Sequence, residues 1–153
     1  MRRFTTVLTI LLGLFPISFG VRFLLLDPQG AAAGFGTESW PTGAAAGYLA
    51  VKGIRDIAFG LIILALLALG ERRATGVVLA VGAIIPFVDM VVVLTHGGTV
   101  ATALGVHALT GVVVLVNAYL LLRERPSVRR PLVEVDRAVL LEPERGVDGP
   151  SGR

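Results

Sequence analysis

Five charged side chains, Arg22, Lys52, Arg55, Asp56 and Asp89, lie inside long apolar runs of this chain, and His107 adds a further ionisable group there. Carboxylates and an imidazole can move protons, and buried cations can hold an anion or pair with the carboxylates. On insertion scales a charge at mid-helix costs about 2.5–3.5 kcal/mol, whereas a good apolar residue returns only about 0.3–0.6 kcal/mol. Such residues therefore need partners inside a helix assembly. Tyr48, Lys52, Arg55, Asp56 and Phe59 recur at i, i+4, i+7, i+8 and i+11, one stripe of a helix. His107, Thr110, Val114 and Asn117 share a face by the same spacing. Pro86, three residues before Asp89, removes a backbone hydrogen bond and loosens the helix there.

The elements that must position these groups are membrane spans. The chain has 153 residues, 54% hydrophobic and 16% charged, with mean hydropathy +0.80. Soluble domains carry about 25% charged residues, so polar material is too scarce here to cover a globular surface. Four apolar runs, about 4–26, 48–69, 74–95 and 101–122, are each long enough to cross a hydrocarbon core of about 30 Å. The links around residues 70–73 and 96–99 are too short for anything but antiparallel neighbours. The expected fold is all-α, an integral membrane up-down four-helix bundle. The start, Met1-Arg2-Arg3 before an apolar run, also resembles a signal peptide, but the run is longer than the usual apolar region of one and Arg22 interrupts its far end.

Arginine placement predicts orientation. Arg2, Arg3, Arg72, Arg73, Arg123, Arg125, Arg129 and Arg130 fall on one side, while the loops 27–47 and 96–99 contain no Lys or Arg. The positive-inside rule puts both termini in the cytoplasm and the chain in a cell (inner) membrane. Residues 123–153 read as a polar, disordered cytoplasmic tail, with a stretch at 132–141 apolar enough to lie on the membrane surface. The basic balance is thus a topology signal, and no nucleic acid is expected as a partner. Arginine, glycine, alanine and valine richness suggests a bacterial genome of high GC content.

At about 1.5 Å per residue from the outer end of each span, all six polar groups come out about 6–12 Å deep. One layer in the outer half of the bilayer collects them. Arg22, Tyr48, Lys52, Arg55, Asp56, Asp89 and His107 are therefore the candidate binding residues. Three cations against two anions leave one positive charge over, which a small anion or an anionic lipid headgroup would balance. As internal glue, the same pairs would merely fix helix register. The absence of cysteine excludes thiol chemistry, and His96, His107 and Asp89 lack the spacing of a metal site, so neither a metal nor a cofactor is expected. Glycines at the ends of two Gly-Ala-Ala-Ala-Gly copies, residues 30–34 and 43–47, have the spacing that lets helices approach closely. Trp40 and Tyr48 suit the headgroup level.

Asp27-Pro28, Phe35-Gly36, the string Tyr48-Leu49-Ala50-Val51-Lys52-Gly53-Ile54-Arg55-Asp56, Pro86 through Asp89, His96-Gly97-Gly98 and Gly105-Val106-His107 together resemble a bacterial and fungal family, domain of unknown function 4267. The resemblance covers about residues 4–122 and implies a small four-helix membrane protein. It implies no activity. The helix count is also similar to that of DoxX-like membrane proteins. Three functions stay open: a binding or accessory protein for an anionic lipid, a quinone-like molecule, a membrane subunit or a second copy of itself; an enzyme using Asp56, Asp89 and His107 for proton transfer; and a small transporter subunit. Polarity confined to one half of the bilayer counts against transport.

Overall fold

The computed structural model describes residues 2–33, 35 and 42–124, and all regular structure among them is helical. α1 (Arg2–Val21) continues through a π-helical segment (Arg22–Leu26) and is followed by α2 (Pro28–Ala33). A 3-10 turn (Gly43–Ala46) leads into α3 (Gly47–Ala68). α4 (Arg72–Gly82) and α5 (Ile84–Thr95) make the third long helix. The fourth comprises α6 (Val100–Thr102), a second π-helical segment (Ala103–Ala108) and α7 (Leu109–Arg123). Trp40 and the tail from residue 125 lie outside the described residues.

Arg2–Leu26, Arg72–Thr95 and Val100–Arg123 are long and apolar enough to cross a membrane. The remaining long helix, α3, has 22 residues, about 33 Å at 1.5 Å per residue, but carries Lys52, Arg55 and Asp56 in its first half. Large apolar side chains on every long helix face outward, among them Phe4, Leu11, Leu61, Val81, Ile84 and Leu109. Lipid is the solvent that suits such a surface.

Local chemistry explains where the helices stop. Gly70 (φ +79°) and Gly97 (φ +86°) take the left-handed conformation that ends α3 and α5. Around Gly70 the Glu71 N–H donates to the Leu66 carbonyl (2.9 Å) and the Gly70 N–H to that of Leu67 (3.0 Å). Gly98 N–H likewise reaches back to the Val93 carbonyl (2.8 Å). Thr99 caps the next helix by accepting from the Thr102 N–H at 3.1 Å. Pro86 has no N–H for the Gly82 carbonyl one turn back, and the third helix breaks at Ala83. Asp27 accepts from the Gly30 N–H (2.8 Å) at the start of α2, with Pro28 in the first helical position.

Four glycines set the closest helix crossing. Gly13 of α1 meets Gly60 of α3, and Gly20 meets Gly53, so the two helices run antiparallel. A Cβ on Gly53 would lie 2.8 Å from the Gly20 carbonyl oxygen, and one on Gly13 would lie 3.3 Å from that of Gly60. On Gly20 or Gly60 a Cβ would run into the carbonyl oxygen of Gly53 or Gly13. Of the Gly-Ala-Ala-Ala-Gly copies expected to mediate close approach, Gly43 and Gly47 face open space and Gly30 meets only Asp27. Close approach belongs instead to the seven-residue pairs.

The second pairing joins α4 and α5 to the fourth helix, with Gly76 against the backbone of Ala118 and the Phe87 ring against Gly111. Ile63, Leu79, Ala83, Val114, Ala118 and Leu121 form the apolar core where the two pairs meet. At the arginine-bearing end a polar clasp completes that meeting. Arg72 donates to Glu124 through Nε and through Nη2 (2.8 Å), and to the hydroxyls of Thr5 (2.6 Å) and Thr6 (2.9 Å). Thr5 donates to Glu124 Oε1 (2.7 Å), and Arg2 Nε lies 3.6 Å from Oε2. One level further in, Asn117 Nδ2 donates to the buried Thr9 hydroxyl at 2.8 Å. Between the pairs, the main helix contacts are α3 with α4 and α1 with α7. Towards the other end the pairs are held apart.

Gly60→Ala is expected to lower the thermal midpoint in detergent, by about 1–3 kcal/mol of stability, because a backbone atom rather than a movable side chain blocks the new methyl. Gly105→Ala, where a Cβ meets nothing within 4 Å, should leave the midpoint unchanged or raise it slightly. Equal losses for both would show that the α1–α3 crossing has no special role.

The hydrogen bonds from Arg72, then those from Thr5, hold the Glu124 carboxyl below its ordinary value of 4.5. A carboxylate depressed by folding contributes stability above its unfolded pKa and loses it as pH falls through the folded one. Stability should therefore decline below about pH 4.5, and Glu124→Gln should flatten that part of a midpoint-against-pH curve.

Candidate functional site

Between the two helix pairs, on the side away from the clasp, lies a cavity of about 110 Å³ lined from all four long helices. Its walls are apolar, including Phe15, Phe19 and Phe59, and Lys52, Asp56, Asp89 and His107 are its charged and ionisable lining. This is room for several water molecules or for the head of an amphiphile.

The register of α3 decides which of its side chains enter. Gly53 and Gly60 must face α1, and at 100° per residue Lys52, Asp56, Phe59 and Ile63 then turn towards the cavity. Arg55 is two residues past Gly53, about 160° round the helix from it, and is exposed. Tyr48, at the helix start, is 77% exposed. Neither lines the cavity.

Lys52 Nζ donates to Asp56 Oδ2 at 2.8 Å. It also sits 5.2 Å from the centroids of both the Phe23 and Phe35 rings, a distance for cation–π attraction. Phe23 is buried, with Ala31 and Ala32 of α2 packed beside it. On the facing wall, His107 Nδ1 lies 4.0 Å from Asp89 Oδ2. The His107 ring stacks obliquely on Phe35, centroids 5.1 Å apart. His107 is only 9% exposed, and its Nε2 has no hydrogen-bond partner among the described residues. Both π-helical segments contribute here, one presenting Phe23 and the other His107. Such local widening of a helix recurs at functional sites.

Arg22 goes elsewhere. The π-helical turn brings Asp27 N–H to the Arg22 carbonyl (3.0 Å), and the Arg22 guanidinium donates to Asp27 Oδ2 at 3.1 Å. Asp27, held below the usual carboxylate range by the Gly30 amide and then by Arg22, is thus the partner of Arg22. Of the seven residues singled out in the sequence, the structure brings together Lys52, Asp56, Asp89 and His107, and places Arg22, Tyr48 and Arg55 outside the cavity. One cation, two carboxylates and an imidazole remain. No positive charge is left over to call for an anion.

Sequence reasoning missed the two rings around Lys52 and the Thr9–Asn117 bond. Phe23 and Phe35 lie in segments far apart from Lys52 with no shared periodicity, so no local signal pointed to them. The glycine pairs had one: Gly13 and Gly20, like Gly53 and Gly60, are seven apart.

The sequence model of the family described as domain of unknown function 4267 matches residues 13–121. The chain belongs to that family. The match runs from within α1 to within α7 and takes in Lys52, Asp56, Asp89 and His107 of the cavity lining. Neither a curated protein nor a solved structure matches the chain.

Lys52 has its partner in Asp56, whereas Asp89 makes no hydrogen bond among the described residues. Asp56→Asn is therefore expected to lower the thermal midpoint, by about 1–3 kcal/mol, because it removes the charged partner of a largely enclosed ammonium. Asp89→Asn should change it far less. A large loss for Asp89→Asn would mean that this carboxylate is a structural pair for the cations.

Proposed function

We propose that this is a multi-pass membrane-embedded binding protein, which holds the head of an amphipathic small molecule in the cavity between its two helix pairs. The observation that carries this reading is the buried His107 Nε2, unpartnered among the described residues, in an otherwise apolar-walled cavity. A buried polar atom left unpaired costs about 1–3 kcal/mol, and register could be held by the clasp, the glycine crossing and the Lys52–Asp56 pair without it.

In this reading all four long helices cross the bilayer in up-down order. α3 is carried by its packing on α1 and by the pairing of Lys52 with Asp56. The arginine-bearing clasp end lies at the cytoplasmic face, both termini are inside, and the cavity sits in the outer half of a bacterial inner membrane. Residues 123–153 then form a cytoplasmic tail. Ligand binding is favoured over proton-transfer catalysis because Asp56 is engaged with Lys52, leaving Asp89 and His107 as the remaining pair.

Native mass spectrometry of protein gently extracted from its own membrane tests the reading. A small molecule retained by the wild type and by Arg55→Gln, but lost in Lys52→Met and His107→Ala, is the expected result. Retention in all four, or a bare chain in all four, would sink it.

A further inference from the structure

The protonation logic of the cavity narrows its ligand, on the reading that the cavity binds one. Lys52 and Asp56 form a neutral pair at 2.8 Å. The other two ionisable lining groups, His107 and Asp89, face each other at 4.0 Å. Among apolar walls a net charge is costly, so this second pair is favoured in an electroneutral state as well. Three arrangements satisfy that condition, and the one in which a neutral Asp89 accepts from Nδ1–H is disfavoured because it forgoes the acid's own donation to the more basic imidazole nitrogen; two remain. Either His107 is an imidazolium beside a carboxylate, or both are neutral and the acid hydrogen of Asp89 points at Nδ1, the strongest acceptor nearby. In both, the imidazole hydrogen at the far side sits on Nε2. The unpartnered atom is therefore a donor, and its complement is an acceptor oxygen.

A ligand that brought its own charge would upset two balanced pairs. Phe15 and Ile85, both lining residues, are 43% and 45% exposed, and α1 and α5 are not among the helix pairs that pack closely, so a ligand's chain can pass beside them towards lipid. We propose that His107 Nε2–H donates to the carbonyl oxygen of an uncharged, long-chain ester or ketone, whose chain leaves beside α1 and α5 into the bilayer.

The test uses the full chain in lipid nanodiscs and infrared spectroscopy of two probes labelled at the carbonyl carbon, methyl nonyl ketone and dioleoylglycerol. Decane, decylamine and decanoate serve as competitors. The expected result is a new carbonyl band at lower frequency in the wild type, kept in His107→Gln, which retains an N–H donor, and lost in His107→Ala with about ten-fold weaker binding. Nitrogen-labelled histidine in a His96→Gln background supplies a second readout that does not depend on the alanine variant folding. There the His107 Nε2–H resonance should move when the ketone is added. Tighter binding of dioleoylglycerol than of the ketone would support the proposal with a membrane lipid as the source, and the reverse order would support it with a free small molecule. Displacement by decylamine or decanoate in preference to the carbonyl probes would overturn the carbonyl assignment and leave the binding pocket standing. Binding of no probe at all would overturn both.

Discussion

Everything at the cavity depends on how closely α1 and α3 approach. With hydrogen in place of a side chain at Gly13, Gly20, Gly53 and Gly60, backbone lies against backbone at two levels seven residues apart. A contact that close admits one rotation of α3 and one register. It turns Lys52, Asp56 and Phe59 towards the second helix pair and leaves Arg55 outside. Four residues with no chemistry of their own thus choose which charged groups can act.

On the proposed topology, the same contact bears on how α3 crosses the membrane. Three charged residues within five positions make it the least apolar of the long helices, and at about 2.5–3.5 kcal/mol per mid-helix charge its own apolar residues barely offset them. The structure lowers that cost in three ways. Lys52 is neutralised by Asp56 one turn away. Its ammonium also rests between two aromatic rings. Arg55 lies near the helix start, where a long side chain can reach the interface. Polarity that would be fatal to a lone helix is tolerable in a paired one.

Much of the fold was legible because it follows from local rules. Run length and hydropathy located the four long helices. Helical periodicity put Lys52, Asp56 and Phe59 on one face of α3 and His107 and Thr110 on one face of the fourth helix, but it also put Tyr48 and Arg55 on the α3 stripe, and neither lines the cavity. Which residues would meet was another matter. Arg22 has the composition of a site residue, but a π-helical turn hands it to Asp27, and nothing in the spacing announces that turn. Phe23 and Phe35 find Lys52 through tertiary packing. The charge balance inferred from sequence counted every buried charge as a neighbour of every other. Once Arg22 and Arg55 leave the set, the ligand expected from it changes from an anion to a neutral molecule.

The clasp has a consequence for the order in which this molecule is made. Arg2 and Thr5 emerge early from the ribosome, Arg72 follows midway, and Glu124, which joins them, comes only after the fourth long helix. The α1–α3 hairpin can form on its own glycine contact well before that. Until Glu124 arrives, Arg72 lacks the carboxylate that neutralises it in the clasp. The clasp therefore waits on a residue that lies beyond Val114, the last in sequence of the cavity's lining.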